Sequence, residues 1–325
     1  MKALVTGSNG FIGSFLVESL LARGDAVRCL VRRTSNLRWI KDLNVERVIG
    51  ELRNPESLQQ AVDGVDVIYH LAGVTRGRTE QDYLDGNYVS TVNLLQAAKY
   101  SSTLKKFVFV SSQAAAGPSI NDRPRTEADP AEPISLYGRA KARAEDAVLQ
   151  YGDRFPVTVI RPPAVYGPRD KDFFVMFQHV NRGILPILGA GTQQVSLVHV
   201  DDLVNGIVLA ADAQDADGKI YFISEGDYSW LDVGQAMAGA LGKKTLKLHL
   251  PLGGVAFVSW FTIAYSNLTR KAVLLNRDKI LEMKQAAWIC SGDRARTELG
   301  FSPKMNLQTG MQQTAAWYRQ QGWLK

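Results

Sequence analysis

Tyr137 and Lys141 stand four residues apart, in a stretch whose pattern predicts a helix over about 135–151. On a helix, positions i and i+4 project side by side, so a phenol and an ammonium would share one space. Free tyrosine titrates at about 10. A neighbouring ammonium favours the phenolate and is expected to bring that value toward working pH. Such a phenol could take a proton from an alcohol, or give one to a carbonyl, while a hydride moves. Ser111 and Ser112 close an apolar run at 107–112, at the carboxyl edge where parallel sheets bind ligands. The Ser112 hydroxyl could hold a substrate oxygen against Tyr137. Taken alone, the pair also fits an amphipathic surface and the serines a strand end.

The elements that must position these side chains begin at the first residues. Lys2 to Thr6 reads as a short strand, and Phe11, Ile12, Phe15, Leu16 and Leu20 mark a helix. Between them Gly7, Gly10 and Gly13 recur at every third position. Gly7 permits a tight turn, Gly10 lets backbone approach a pyrophosphate, and Gly13 lets the helix lie close to the strand. Free N–H groups at the helix N-terminus would face the phosphates. The loop is expected to bind a dinucleotide, a merely structural turn being the alternative.

Strands at 27–31, 45–49, 66–73, 107–112 and 157–163 alternate with helices, one of them a long helix through Asn87, Val92 and Ala98. Continuous apolar strands between helices predict an α/β fold with a parallel sheet covered on both faces. Residues 117–133 are Pro-rich and read as a loop. The expected architecture is a doubly wound dinucleotide-binding domain over 1–165, with 196–224 returning to it. A smaller, mixed α/β substrate-binding domain would comprise 166–195 and 225–325.

Composition is that of a globular chain: 325 residues, 46% hydrophobic and 22% charged. The net charge of +6 is dispersed, so a nucleic-acid partner is not suggested, and a small-molecule substrate is. Cys29 and Cys290 are the two cysteines, and Cys29 falls in a buried strand, so a reducing, cytoplasmic setting is expected. The chain opens on a core strand, so no signal peptide is expected. His70, His179, His199 and His249 pair with no Cys or Glu at metal-ligand spacing, and no metal site is expected. The stretch 252–268 is uncharged and too short to span a bilayer. It reads as a buried helix, or as an apolar lid or weak membrane-surface patch.

Seven motifs occur in order: Thr6-Gly7-x-x-Gly10-x-x-Gly13, His70-Leu71-Ala72-Gly73, Ser111-Ser112, Tyr137-x-x-x-Lys141, Arg161-Pro162-Pro163, Tyr166-Gly167-Pro168 and His199-Val200-Asp201-Asp202. Together they resemble the extended short-chain dehydrogenase/reductase family, also called the NAD-dependent epimerase/dehydratase family, over about the first 225 residues. The resemblance implies a Rossmann-type fold and a homodimer formed through helices of the cofactor domain. It makes Tyr137 the catalytic acid/base, has Lys141 bind the nicotinamide ribose and tune Tyr137, and has Ser112 orient the substrate. Gly7, Asn9, Gly10, Phe11, Ile12 and Gly13 would form the phosphate loop. Glu51 and Leu52 match an acidic-apolar pair that contacts adenine. Leu71, Ala72 and Gly73 would line the cofactor's path with Asn87 and Ser111, and the loop with Pro163 and Val165 would lie along the nicotinamide.

NAD-preferring members end the second strand on an acidic residue. Here Val31 is followed by Arg32 and Arg33, and a guanidinium suits a 2′-phosphate. NADP(H) is therefore expected, with NAD(H) as the alternative and surface charge as the plain account of the arginines. The second strand resembles reductases related to dihydroflavonol reductase. Nucleotide-sugar epimerases usually place an Arg just before His-Val-x-Asp to grip the diphosphate, where this chain has Val195-Ser196-Leu197. The uncharged stretch with Trp260 and Phe261 resembles the 3β-hydroxysteroid dehydrogenase branch. Arg169 and Lys171 could hold an anion, or be exposed charges. The expected activity is NADP(H)-dependent interconversion of a ketone and a secondary alcohol on an apolar or amphipathic molecule. A nucleotide-sugar epimerase or dehydratase with bound NAD is the alternative. A non-catalytic cofactor sensor is a third reading, against which the Tyr-Lys pair argues.

Overall fold

Strands that are apolar on both sides of the pleat need cover on both faces, and the main sheet has it. A computed structural model describes residues 1–189, 191–251 and 277–324. Its strands are β1 Lys2–Thr6, β2 Ala26–Val31, β3 Glu46–Ile49, β4 Val67–His70, β5 Lys106–Val110, β6 Val157–Arg161 and β7 Ala164–Tyr166. They continue with β8 Ile184–Leu188, β9 Gln194–His199, β10 Lys219–Phe222, β11 Gly226–Ser229, β12 Leu246–Leu250 and β13 Ala287–Trp288. Seven of them form one parallel sheet in the order β10-β6-β5-β4-β1-β2-β3. Along β1, Ala3 and Val5 enter one core with Leu16, Leu20, Leu203 and Ile207, while Leu4 enters the other with Leu94, Ala144 and Val148. Helices Phe11–Ala22 and Val200–Asp212 cover the first face; Ser90–Ala98 and Leu136–Gln150 cover the second. This is the expected Rossmann-type, doubly wound α/β fold. The chain builds outward from β1 to β3, then returns to β4 on the other side of β1. The carboxyl ends of β1 and β4 therefore flank the switch-point crevice.

The long helix through Asn87 is not uniform. A short turn Glu80–Tyr83 passes into a π-helical turn Leu84–Val89 before Ser90–Ala98. Such widened turns re-aim side chains at functional sites. Of the segment 196–224, β10 joins the main sheet and helix Val200–Asp212 packs on it, but β9 does not. β9 pairs antiparallel with β11 and parallel with β7 and β13 in a second sheet. The cause is its side chains: Val195 and Leu197 belong to a third core with Phe177, Leu185, Met237 and Tyr318. β8 and β12 form a separate parallel pair.

The Pro-rich stretch 117–133 is a loop, as expected, but a tethered one. Buried Arg125 donates to the carbonyls of Pro118 at 2.6 Å and Pro130 at 2.5 Å. Its backbone exchanges bonds with Ile289 and Ser291. Cys29 and Cys290 are both free and buried. No helix among the described residues is long and apolar enough to cross a membrane. The stretch 252–268, with Trp260 and Phe261, lies outside the described residues.

Candidate active site

Gly7 leaves β1 with φ +72°, in the left-handed region, and a Cβ there would lie 2.8 Å from the Ala72 nitrogen. At Gly13 a Cβ would stand 2.1 Å from the Gly7 carbonyl oxygen, so only glycine lets the helix cross the strand exit this closely. Gly10 caps the helix without a side chain and donates its N–H to Gly7 O at 2.9 Å. The N–H groups of Phe11, Ile12 and Gly13 have no intrahelical acceptor and form an anion cradle. Asn9 donates to Asn36 O at 3.3 Å, tying the cradle to the turn after β2. Backbone this open, at the switch point, fits a dinucleotide pyrophosphate. On that turn Arg32 and Arg33 are exposed, and neither has a carboxylate partner among the described residues.

The opposite wall is held by a buried relay. Ala72 donates to Thr6 Oγ1 at 3.2 Å, Thr6 Oγ1 lies 2.6 Å from His70 Nδ1, and His70 Nε2 lies 2.9 Å from Thr91 Oγ1. Burial pushes His70 down to about 3, so the ring is neutral and structural. Leu71 donates to Thr6 O at 3.3 Å. Gly73 is pressed between Asn87 and Lys141: a Cβ there would lie 2.6 Å from Asn87 Oδ1 and 3.9 Å from Lys141 Nζ. The Asn87 amide is engaged by backbone, donating to Val74 O and Tyr83 O at 3.0 Å and accepting from Val74 N–H at 3.1 Å. It shapes the loop that carries Gly73. Glu51 is exposed just past β3, and its N–H is anchored on Ser57 Oγ at 2.9 Å. Leu52 packs on the second core. Ser111 is buried, and its hydroxyl has no hydrogen-bond partner among the described residues. Pro163 is buried and Val165 half-buried at the start of β7.

Ser135 caps the helix Leu136–Gln150, its hydroxyl accepting from Gly138 N–H at 3.1 Å. A Cβ at Gly138 would lie 2.3 Å from Ala114 O, so this helix presses directly on the turn that follows Ser112. Tyr137 thereby faces Ser112, with the Tyr83 ring 6.3 Å away. Burial pushes the Tyr137 phenol up to about 12, against the downward pull of the Ser112 side chain. This is the reverse of the shift expected from a neighbouring ammonium. The phenol's own burial is the cause, while Lys141, 3% exposed, spends its ammonium elsewhere. It donates to Val110 O at 2.7 Å and sits 4.3 Å over the Phe109 ring. Burial pushes Lys141 down to about 7, with Glu145 working upward. Ser112, Tyr137 and Lys141 thus converge at the carboxyl ends of β4 and β5, beside the dinucleotide cradle.

The sequence profile described as the NAD dependent epimerase/dehydratase family matches residues 3–224. The chain belongs to that family. It is an enzyme family of the extended short-chain dehydrogenase/reductase type, and its fold and motif order agree with this structure. A ceramide reductase of Caulobacter vibrioides is 30% identical, over 98% of this chain and 95% of that protein. A 4-hydroxy-2-methyl-3-oxo-4-farnesyl-3,4-dihydroquinoline-1-oxide ketoreductase of Stigmatella aurantiaca is 26% identical over 96% and 95%. Among solved structures, a dTDP-glucose 4,6-dehydratase from Streptomyces venezuelae with NAD bound superposes with a TM-score of 0.80. It is 26% identical and covers 100% of this chain and 99% of its own.

Several residues around this family site carry no local sequence signal. Asp278, from the far end of the chain, accepts the N–H of Leu136 at 2.9 Å and of Tyr137 at 3.4 Å. Glu282, one turn on, faces Tyr137 closely enough to raise its pKa. Glu145 and Arg161 form a buried bidentate ion pair behind Lys141, with contacts of 2.6 to 3.2 Å. Arg169 is neither a free anion site nor an exposed charge. It donates to Ser14 Oγ at 2.9 Å and Glu18 Oε1 at 2.7 Å, and stacks over Phe15 and Trp39. Lys171 is exposed. His199 caps the helix Val200–Asp212, its Nδ1 accepting from Asp201 N–H at 3.3 Å.

Proposed function

We propose that the protein is an NADP(H)-dependent oxidoreductase that interconverts a ketone and a secondary alcohol on an apolar or amphipathic small molecule. The observation that carries the substrate class is strand β9. Where nucleotide-sugar enzymes of the resembled family carry a diphosphate-gripping Arg, Val195 and Leu197 are buried in the third core. Ser196 between them bonds Asp227 and accepts the Cys290 N–H. Of the two other candidate cations, Arg169 is committed to Glu18 and Lys171 is exposed. The Caulobacter and Stigmatella relatives, a ceramide reductase and a farnesyl-quinoline ketoreductase, support an apolar substrate.

When bound, the nicotinamide cofactor supplies or accepts the hydride. Ser112 holds the substrate oxygen in hydrogen-bond reach of Tyr137. The phenol, kept protonated by burial, gives its proton to that oxygen as the alcohol forms and takes it back in the reverse direction. The protonated fraction of Lys141, whose pKa burial lowers to about 7, adds positive charge that stabilises the developing alkoxide. Arg32 and Arg33, exposed just past β2 and without a carboxylate partner among the described residues, support a 2′-phosphate on the cofactor.

The test is to extract the copurified cofactor and to titrate NADPH and NADH into wild type and Arg32→Asp. NADPH preferred by the wild type, with the preference lost in Arg32→Asp, is the expected result. Equal affinities in the wild type would overturn the cofactor assignment. They would favour the second reading, a nucleotide-sugar epimerase or dehydratase with tightly bound NAD, which the Streptomyces neighbour supports. Such an enzyme would show no net cofactor oxidation with its substrate.

A further inference from the structure

The pair β8–β12 turns its apolar side outward. Its register sets Leu246 against Ile184, Leu248 against Pro186, Lys247 against Leu185 and His249 against Ile187. Residues paired across a ladder share a face. Leu185 and Ile187 enter the third core, so their side is the inner one. The outer side therefore carries Ile184, Pro186, Leu246, Leu248 and Leu250. Leu246 is 72% exposed, Leu248 47% and Ile184 37%. A strand written Leu-Lys-Leu-His-Leu ordinarily buries its leucines. This one is exposed from Leu246 to His249, so its leucines meet the surroundings.

The exposed charges on the described segments that lead into β8 and β12 are basic: Arg182, Lys243 and Lys244, with Lys247 exposed on the other side of β12. From Val233 to Pro251 the sequence has no acidic residue but three basic ones: Lys243, Lys244 and Lys247. In sequence, β12 also leads directly into the uncharged stretch 252–268. Leucines beside lysines, with no carboxylate on the described segment 233–251, suit a surface whose apolar layer lies beneath anionic phosphates. They do not suit a second copy of this face, because pairing like with like would bring Lys243 and Lys244 against themselves.

We propose that the β8–β12 face docks on the surface of an anionic lipid bilayer. The docking stands on register, exposure and charge. Its use to the enzyme, bringing the substrate-binding side to where an apolar ketone partitions, rests on the function proposed above.

The experiment is co-sedimentation of the full chain with phosphatidylcholine vesicles, with and without phosphatidylglycerol. Binding to the anionic vesicles, reversed by added salt, is expected. Leu246→Ser/Leu248→Ser, and separately Lys243→Glu/Lys244→Glu/Lys247→Glu, should each weaken it at least about tenfold. NADPH affinity, read by cofactor fluorescence, should stay at the wild-type value in both variants and so confirm their folding. Wild type that stays in the supernatant overturns the proposal. So do variants that sediment as well as wild type, which would assign binding to another surface. A dimer abolished by Leu246→Ser/Leu248→Ser without vesicle binding would give the face to a second copy instead. None of these outcomes bears on NADPH-dependent turnover of a water-soluble ketone, which tests the function separately.

Discussion

The Asp278 carboxylate accepts the backbone N–H of Tyr137 at 3.4 Å as well as that of Leu136 at 2.9 Å. These are first-turn donors with no intrahelical partner, so a residue from the C-terminal segment caps the helix that carries the phenol. Asp278→Ala should lower stability by about 1 kcal/mol, the usual worth of such a cap, and lower kcat severalfold by loosening Tyr137. Asp278→Asn keeps an acceptor oxygen and should recover most of both. Thermal melts and steady-state kinetics on the three proteins check this. An alanine variant with wild-type kcat would show that the contact does not position Tyr137.

Tyr137→Phe removes the proton that the reaction exchanges, and should reduce kcat by about 10²–10⁴-fold. Ser112→Ala leaves the proton in place but frees the substrate oxygen, so a smaller loss with a raised KM is expected. Neither variant should change NADPH affinity, because the cradle at Gly7 to Gly13 is built from backbone. Single-turnover hydride transfer at saturating cofactor separates the two effects.

Gly13→Ala places a methyl group 2.1 Å from the Gly7 carbonyl oxygen, a contact that backbone has to move to relieve. The cradle should open and NADPH affinity fall by about tenfold or more, measured by fluorescence titration. Gly239 is the control. It is exposed in the helix Trp230–Leu241, and an added Cβ meets nothing within 4 Å. Gly239→Ala should leave affinity unchanged and raise stability by about 0.5–1 kcal/mol.

What the sequence made legible was local. Gly7, Gly10 and Gly13 have their meaning within one turn, Tyr137 and Lys141 within one helical repeat, and the parallel strands within single apolar runs. The motif set extended this to the family. Contacts between distant segments left no such mark. Arg169 looks like an unassigned cation until the fold brings Glu18 beside it, and nothing near Asp278 hints at a partner at residue 137. β9 reads like one more main-sheet strand because the second sheet is built from segments as far apart as Ala164 and Trp288. The Tyr137 shift has its own cause. Spacing predicts which side chains are neighbours, but the balance between desolvation and charge depends on burial, which only the packed structure supplies.

Lys141 makes that balance measurable. Burial lowers its pKa from the ordinary 10.5 to about 7, the opposing effect of Glu145 being smaller. Between those two values the unfolded chain holds the proton and the folded chain does not. The unfolded state then binds more protons, so this residue's contribution to stability rises as pH climbs from about 7 toward 10.5. It is least favourable below about 7, where the folded protein must bury the charge. Lys141→Met removes the titrating group, while its loss of the bond to Val110 O is independent of pH. Urea midpoints of wild type should therefore gain on those of Lys141→Met across this window, with a slope of up to about 1.4 kcal/mol per pH unit. Parallel curves would mean that Lys141 keeps an ordinary pKa in the folded protein. The ammonium would then be charged throughout the working range, and Tyr137 would sit beside a permanent cation.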